Sequence, residues 1–168
     1  KEAYYYVTLP NPSWTKDQAE DFLRGAHSRA IIEVTAIHEA YPGHYLQHLW
    51  DAKLSKARQL FGVMSNIEGW AHYTEQMMLD EGYGGGDPRL RLAQIQDALL
   101  RAGRFVVALR MHTDAAGPGA RPMTVAEGTA YFQQQALQTR KVAEMEALQK
   151  QLLTQLKKFV TDQGAELE

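Results

Sequence analysis

The sequence predicts an all-α fold with a short N-terminal extended arm or strand, and three observations support that prediction. Apolar residues recur at helical spacing through most of the chain, glycine- and proline-rich runs separate the helical stretches, and strand-like alternation occurs in the opening residues. With 168 residues, 45% of them hydrophobic, the chain is long enough to bury a core. We therefore expect residues 1–168 to form a single helical domain.

The first predicted elements are an arm and a short helix. Residues 1–14 alternate aromatic with β-branched residues and then reach two prolines, a pattern that predicts a short strand or extended arm ending near Leu9. Thr15 and Gln18 have the spacing of a capping box, in which each side chain accepts a hydrogen bond from the other residue's backbone N–H. A short helix is therefore expected from this pair to about Arg24.

The middle of the chain is predicted to be helical, with one interruption. Apolar residues at helical spacing run through residues 27–41, stop at Pro42-Gly43, and resume after it. Asn66 is a candidate N-cap for a further helix that should reach about Leu79.

The C-terminal half is predicted to be helical apart from two loops. After the glycine-rich turn EGYGGGDP, a helix is expected over residues 87–112. Its predicted apolar stripe comprises Leu92, Ile95, Leu99 and Val106. Beyond the loop TDAAGPGARP, Thr124 and Glu127 form a second capping-box pattern, which opens one long helix, or two, from about residue 125 to residue 160.

Charge and composition exclude several classes of protein. The chain carries 18 basic and 20 acidic residues, so it offers no basic surface for nucleic acid or for an anionic membrane. No apolar run approaches the about 18 residues that a membrane span requires. Because there is no cysteine, any metal must be held by imidazole and carboxylate, a ligand set that suits zinc. The start at Lys1 predicts a processed or excised piece of a longer protein.

The densest group of metal-ligating residue types is the run HEAYPGHYLQH at residues 38–48. On a straight helix His38 and His44, six residues apart, would point about 120° away from each other. They can hold one ion only if the backbone breaks between them, and Pro42-Gly43 is placed to make that break. Glu39, directly after the first histidine, is positioned beside the ion as a general base for the attacking water.

A second segment, EGWAHYTEQ, is predicted to supply the third ligand. Glu68, His72 and Glu75 fall on one face of its helix, and Glu68 is our choice of ligand. Gly69 beside it is expected to let the second helix approach closely. His72 or Glu75 would orient the imidazole ligands through hydrogen bonds.

Other interpretations of these residues remain open. His44 and His48 have the regular four-residue spacing and need no break, but no acid follows His44 to act as the base. All of these groups are also compatible with polar positions on helix surfaces. A di-metal carboxylate bundle is excluded, because repeated Glu-x-x-His pairs do not occur.

With both segments in view, the chain resembles the bacterial family known as domain of unknown function 885. The resemblance is carried by His-Glu-Ala-Tyr-Pro-Gly-His at residues 38–44 with Gln47, and by Glu-Gly-Trp-Ala-His-Tyr at residues 68–73. The segments YYYVTLP and RAGRFVVALRMH also resemble family segments, and the coverage is about residues 4–145.

The resemblance extends to gluzincin-like metallopeptidases, in which two histidines and a downstream glutamate hold zinc. It implies that His38, His44 and Glu68 bind Zn²⁺, with Glu39 as the base. The implied activity is hydrolysis of short peptides or other small amides by metal-activated water. Two alternatives are a metal-binding helical domain without catalysis and a metal-free interaction fragment of a larger protein.

Three further residues are candidate catalytic groups. Arg104 and His112 lie where the family pattern also has an arginine and a histidine, and they would bind a substrate carboxylate or the oxyanion. Tyr73 would donate a hydrogen bond to the tetrahedral intermediate. The alternatives are a solvated arginine, a histidine at a helix end and a core tyrosine. Trp50 and Trp70 are interpreted as packing residues.

The resemblance also implies a longer parent protein, of which this chain is the C-terminal catalytic part. The tail over about residues 146–168 departs from the family pattern and is expected to form a generic amphipathic helix. Apolar surface left by a missing N-terminal segment predicts either a homodimer or association with that segment. Family members often carry bacterial export signals, so the parent is expected to be periplasmic or a lipoprotein, with the cytoplasm as the alternative.

Overall fold

A computed structural model of the chain describes residues 3–113, 121–140, 142–144, 146–152 and 155. These residues form helices and connecting segments, and no strand occurs among them, so the predicted all-α class is confirmed. Residues 3–11 have no regular secondary structure. Of the two predicted forms of this segment, an arm or a short strand, the strand is therefore wrong. Contacts divide the chain into two compact units. Whether the two make one domain stays a prediction.

The elements follow in order along the chain. The α-helices are α1 Lys16–Ala26, α2 Arg29–Glu39, α3 His44–Asp51, α4 Lys56–Leu60, α5 Met64–Asp80, α6 Pro88–His112 and α7 Val125–Gln134. A 3-10 turn, Tyr83–Gly86, connects α5 to α6. Further helical residues are 140, 142–144, 146–152 and 155.

Unit 1 comprises residues 1–11 and 27–98, and it contains helices α2 to α5. Helix α2 packs against α5, and α3 packs against both. The core has one cluster of buried apolar side chains: Ile31, Val34, Leu90 and Ala93. The turn after α5 depends on glycine, since Gly82, Gly84, Gly85 and Gly86 all have positive φ.

Unit 2 comprises residues 12–26 and 99–168, which include α1 and α7. Its core cluster consists of Leu100, Val107, Phe132, Ala136 and Ala143. Both predicted capping boxes are confirmed here. Thr15 and Gln18 exchange hydrogen bonds of 3.1 and 3.3 Å, and Thr124 and Glu127 do the same at 2.8 and 3.3 Å.

Two expectations about the helices need correction. Helix α5 begins at Met64 after Val63, so Asn66 lies inside the helix and is not its cap. The predicted apolar stripe of α6 is wrong at Leu92 and Ile95, which are 65% and 52% exposed, whereas Leu99 is partly buried and packs against a core cluster. The side chains buried instead include Leu90, Ala93, Leu100 and Val107.

The final helical stretch is broken after α7. Residues 135–139 are not helical, which favours two helices over one. The predicted tail is helical at residues 146–152 and 155. Its other residues, including the predicted end near residue 160, lie outside the described part of the chain.

Candidate metal centre

The break between α2 and α3 has the form that the sequence predicts. Helix α2 ends at Glu39 and α3 begins at His44, with a cis peptide bond between Tyr41 and Pro42. The Gly43 N–H donates to the Ile37 carbonyl oxygen at 3.1 Å, which folds the turn back onto the helix end. A Cβ at this glycine would lie 1.8 Å from the His38 carbonyl oxygen. Only glycine fits so close to the backbone, so the tight turn depends on it.

This turn brings the two motif histidines together. The ring centroids of His38 and His44 lie 4.7 Å apart, with their planes at 89°. His38 is buried, with 5% of its surface exposed, and His44 is half-buried. The six-residue spacing is therefore resolved by a change of helix, as the sequence predicts.

Glu68 of α5 completes a set of three potential metal ligands, which we call the donor group. Its Oε2 lies 3.5 Å from His38 Nε2, and its Oε1 lies 3.7 Å from His44 Nε2. One atom from each residue can be chosen so that all three lie within 4.8 Å of one another, and no other such group occurs in the described residues. Three of four tetrahedral ligands at about 2.0–2.1 Å from zinc would be about 3.3 Å apart. The two separations between Glu68 and the imidazoles, 3.5 and 3.7 Å, are close to that value, and two imidazoles with one carboxylate are ligand types that zinc accepts.

A buried carboxylate holds the first histidine in place. Glu75, with no exposed surface, accepts a hydrogen bond from His38 Nδ1 at 2.7 Å. Its other oxygen lies 3.3 Å from His72 Nδ1. Because the bond to Glu75 places the proton of His38 on Nδ1, the lone pair on Nε2 is directed toward Glu68. Of the two residues predicted to orient an imidazole, Glu75 lies where it can do so for His38.

Trp70 has a contact that sequence reasoning did not predict. Its indole N–H donates to the Pro42 carbonyl oxygen at 2.9 Å. This bond connects α5, which carries Glu68, to the turn that separates the two histidines. Trp70 lies two residues after Glu68 in the family motif. That closeness to a candidate ligand was the one sequence feature that could have indicated a role near the site. Its expected role as a packing residue was incomplete.

The role expected of Gly69 is wrong. A Cβ at this position would meet nothing within 4 Å, and the residue is exposed. The glycine that allows a close approach is Gly43, in the turn itself. The position of Gly69 beside the candidate ligand Glu68 wrongly suggested a close helix contact, because Gly69 lies on the outer face of α5.

The donor group faces an open pocket. Glu39, exposed at the end of α2, lines the same pocket as the three donors. The full lining is Ala3, His38, Glu39, His44, Tyr45, His48, Ile67 and Glu68. His48 is on the wall, and its Nδ1 is 2.8 Å from Asp51 Oδ2, so the alternative ligand pair with His44 lies outside the donor group.

The N-terminal arm contributes a titratable group near Glu39. Burial and the negative charge of Glu39 raise the pKa of the Tyr5 phenol. No sequence pattern predicts this proximity, because an arm without regular secondary structure has no fixed register against α2. Tyr5 is therefore close enough to Glu39, at the end of α2, for the two groups to interact electrostatically.

The other predicted catalytic residues do not line this pocket. Tyr73 is 56% exposed, with its ring 6.0 Å from that of Trp70. Arg104 and His112 belong to unit 2. Arg104 donates two hydrogen bonds to Glu146, at 2.7 and 2.6 Å, and His112 Nδ1 donates to the Ala108 carbonyl at 2.5 Å. Their catalytic roles stay predictions.

Comparison with known proteins adds a family and a structural relative. No curated protein matches the chain. No helix among the described residues is long and apolar enough to cross a membrane. A solved structure titled "a putative lipoprotein of unknown function from Shewanella oneidensis" aligns with a TM-score of 0.67 and 32% identity. The alignment covers 87% of this chain and 26% of that protein, so this chain spans about a quarter of its length.

The family comparison agrees with the resemblance seen in the sequence. The model of the family described as "Bacterial protein of unknown function (DUF885)" matches residues 1–152. The match includes all of unit 1, unit 2 as far as residue 152, and every residue of the candidate metal centre. The chain belongs to this family.

Proposed function

We propose that the chain is the zinc-binding part of a hydrolase that cleaves short peptides. One observation carries the proposal: the donor atoms of His38, His44 and Glu68 converge in an open pocket that Glu39 also lines. Two imidazoles and one carboxylate leave a coordination position for water, as in catalytic zinc sites. A structural zinc site would instead have four protein ligands, and the described residues supply three.

The residues around the donors prepare them to bind a cation. Glu75 fixes the tautomer and the orientation of His38, and the Trp70 hydrogen bond holds the turn before His44 against α5. Glu68 is 56% exposed, which leaves its carboxylate accessible from the pocket. The site is therefore largely preorganised by the fold, and little ordering would oppose metal binding.

Glu39 is the residue to which we assign proton transfer. When bound, zinc lowers the pKa of water toward about 7 and polarises the scissile carbonyl. The Glu39 carboxylate accepts the proton that the attacking water releases, and then delivers it to the leaving amine nitrogen. Glu39 directly follows the candidate ligand His38 and lines the pocket without belonging to the donor group, so its carboxylate would be available to a water bound there.

The test is a comparison of Glu39→Gln with a matched exposed glutamate, Glu81→Gln at the end of α5. Glu39→Gln should keep the zinc and lower kcat by about 100- to 10,000-fold, whereas Glu81→Gln should leave both unchanged. Zinc content by atomic absorption and turnover of a mixed pool of short peptides are the two measurements. Wild-type turnover by Glu39→Gln would contradict the mechanism.

The purified wild-type chain also tests the alternative function, a metal-binding helical domain without catalysis. A chelator should lower the melting temperature of the wild-type chain, because zinc bound to the folded state alone stabilises it. Bound zinc without turnover would favour a domain in which the metal only connects α2, α3 and α5. An absence of zinc, with an unchanged melt, would overturn both metal-dependent functions.

We also propose that the parent protein is exported. The printed description of the Shewanella relative as a lipoprotein supports this location. Fractionation of the source cells tests it, with the protein expected in the periplasmic or membrane-anchored fraction. Recovery in the cytoplasmic fraction would contradict it.

A further inference from the structure

A second cavity lies beside the candidate metal pocket in unit 1. Its volume is about 840 Å³, within the range of about 300–1,000 Å³ typical of small-molecule sites. Its walls come from α3, α4, α5 and the segment that joins α4 to α5. The apolar residues on these walls include Leu46, Trp50, Leu54, Phe61, Ile67 and Trp70.

The cavity adjoins the metal pocket. His48 and Ile67 line both, one from α3 and the other from α5. Ile67 directly precedes the candidate ligand Glu68, and His48 is one helical turn after the candidate ligand His44. A molecule reacting at the donor group could therefore extend along α3 and α5 into the cavity.

The walls combine apolar surface with one buried polar atom. Gln47 Oε1 is buried on the cavity side of α3 and accepts no hydrogen bond from any described residue. A buried acceptor without a donor is unfavourable, so a ligand N–H would be favoured there once a rotation of the Gln47 amide turned Oε1 toward the cavity. The cavity thus suits a group that is largely apolar and carries an N–H, which is the composition of a peptide residue with a bulky side chain.

We propose that this cavity binds a bulky apolar side chain of a peptide substrate, next to the scissile bond, with a backbone N–H of the peptide donating to Gln47 Oε1. The inference rests on the peptidase function proposed above, and it adds the substrate class: peptides with a phenylalanine- or leucine-sized residue beside the bond that is cut. Trp50 and Trp70 then form part of a specificity pocket, in addition to their structural contacts.

Binding can be measured separately from catalysis. The zinc-loaded Glu39→Gln chain is titrated with acetyl-Ala-Phe-Ala-amide and with acetyl-Ala-Ala-Ala-amide, and tryptophan fluorescence and calorimetry give the two Kd values. The phenylalanine peptide should bind at least about tenfold more tightly, since apolar pockets discriminate by about 10- to 200-fold for each added methylene-sized group. Equal affinities would overturn the proposal.

Two variants locate the preference. Leu54→Trp fills the cavity from its wall, whereas Leu60→Trp adds the same side chain at an exposed position that does not line it. Leu54→Trp should abolish the preference for phenylalanine while the affinity for the alanine peptide changes by less than about twofold, and Leu60→Trp should retain the preference. A preference that survives Leu54→Trp would place the apolar site elsewhere and overturn the assignment.

Turnover by the wild-type chain distinguishes the two proposals. Faster hydrolysis of peptides with phenylalanine than of those with alanine, seen as a difference in kcat/KM, supports both. Equal hydrolysis of the two series overturns the specificity pocket and leaves the peptidase intact. No hydrolysis of either series overturns the peptidase and, with it, the role of the cavity as a substrate subsite, even where the Kd values differ.

Discussion

The two units each bury a glutamate, and they satisfy it in different ways. In unit 2, Glu146 accepts two short hydrogen bonds from Arg104 in a bidentate pair. In unit 1, Glu75 accepts one from His38 and has His72 near its other oxygen. Glu146 is 8% exposed and Glu75 is 0% exposed, so both carboxylates require a partner.

The difference lies in what the partner can still do. A guanidinium has only donors and stays charged, so its pairing with Glu146 forms a closed contact that serves the structure. An imidazole has two ring nitrogens, so a bond from Nδ1 to Glu75 leaves Nε2 to act as a ligand. We therefore expect the glutamate paired with histidine, and not the one paired with arginine, to affect metal binding.

The largest predicted effect comes from removing the negative charge that holds His38. Glu75→Gln keeps the size of the side chain but weakens its hold on the Nδ1 proton and lowers the basicity of Nε2. Zinc affinity should fall by about 10- to 100-fold, measured by competition calorimetry against a chelator of known affinity.

The matched control is Glu81→Gln, a carboxylate at the exposed end of the same helix, which should leave zinc affinity unchanged. If Glu75→Gln bound zinc as tightly as the wild type, Glu75 would be a structural group like Glu146. The difference in partner between Glu75 and Glu146 would then not distinguish a metal-binding role from a structural one.

An intermediate effect is expected when the closed pair of unit 2 is opened. Arg104→Met leaves Glu146 buried without its main donor, and should destabilise the fold by about 1–2 kcal/mol. We take a value below that of a fully buried pair because the arginine side chain is 40% exposed. Urea denaturation followed by circular dichroism measures the loss.

The double variant Arg104→Met with Glu146→Met separates structure from catalysis. It should recover most of the stability, because neither charge is then left unpaired. If Arg104 also binds substrate, as the sequence predicts, peptide turnover should stay low in the double variant. Recovery of both stability and turnover would show that this arginine has a structural role alone.

The fold class and most helix positions could be predicted because they depend on local signals. Both capping boxes and the break at Pro42-Gly43 involve residues a few positions apart, and each is present in the structure. The apolar stripe of α6 could not be predicted in this way. The helix crosses from unit 1 to unit 2 at residues 98–99, so different faces are buried along its length.

For the site, the sequence predicted which residues converge but not what supports them. His38, His44 and Glu68 follow from a motif together with the geometry of a broken helix. The hydrogen bond from Trp70 to the Pro42 carbonyl joins residues 28 positions apart, and no periodic pattern encodes such a contact. The proximity of Tyr5 to Glu39 depends on the path of an arm without regular structure, which tertiary contacts alone determine.

The smallest predicted effect concerns an exposed arginine–glutamate pair in unit 2. Hydrogen bonds from Arg121, and then from the backbone and hydroxyl of Thr124, lower the pKa of Glu127 from 4.5 to about 2. A carboxyl group whose pKa is lowered by folding stabilises the folded state above pH 4.5, and that contribution is lost as the pH falls toward 2. Thermal melts should show Glu127→Gln to be less stable than the wild type near neutral pH, with the difference shrinking across this window.

Salt provides the control for this last prediction, and it also sharpens the comparison of arginine pairs. At about 1 M salt the Debye length is about 3 Å, so the exposed contact of Glu127 with Arg121 should be weakened. The half-buried pair of Arg104 and Glu146 should be less sensitive to the same salt, because it is partly shielded from solvent. A difference between Glu127→Gln and wild type that stayed constant from pH 2 to pH 6 would instead assign the effect to helix capping without charge.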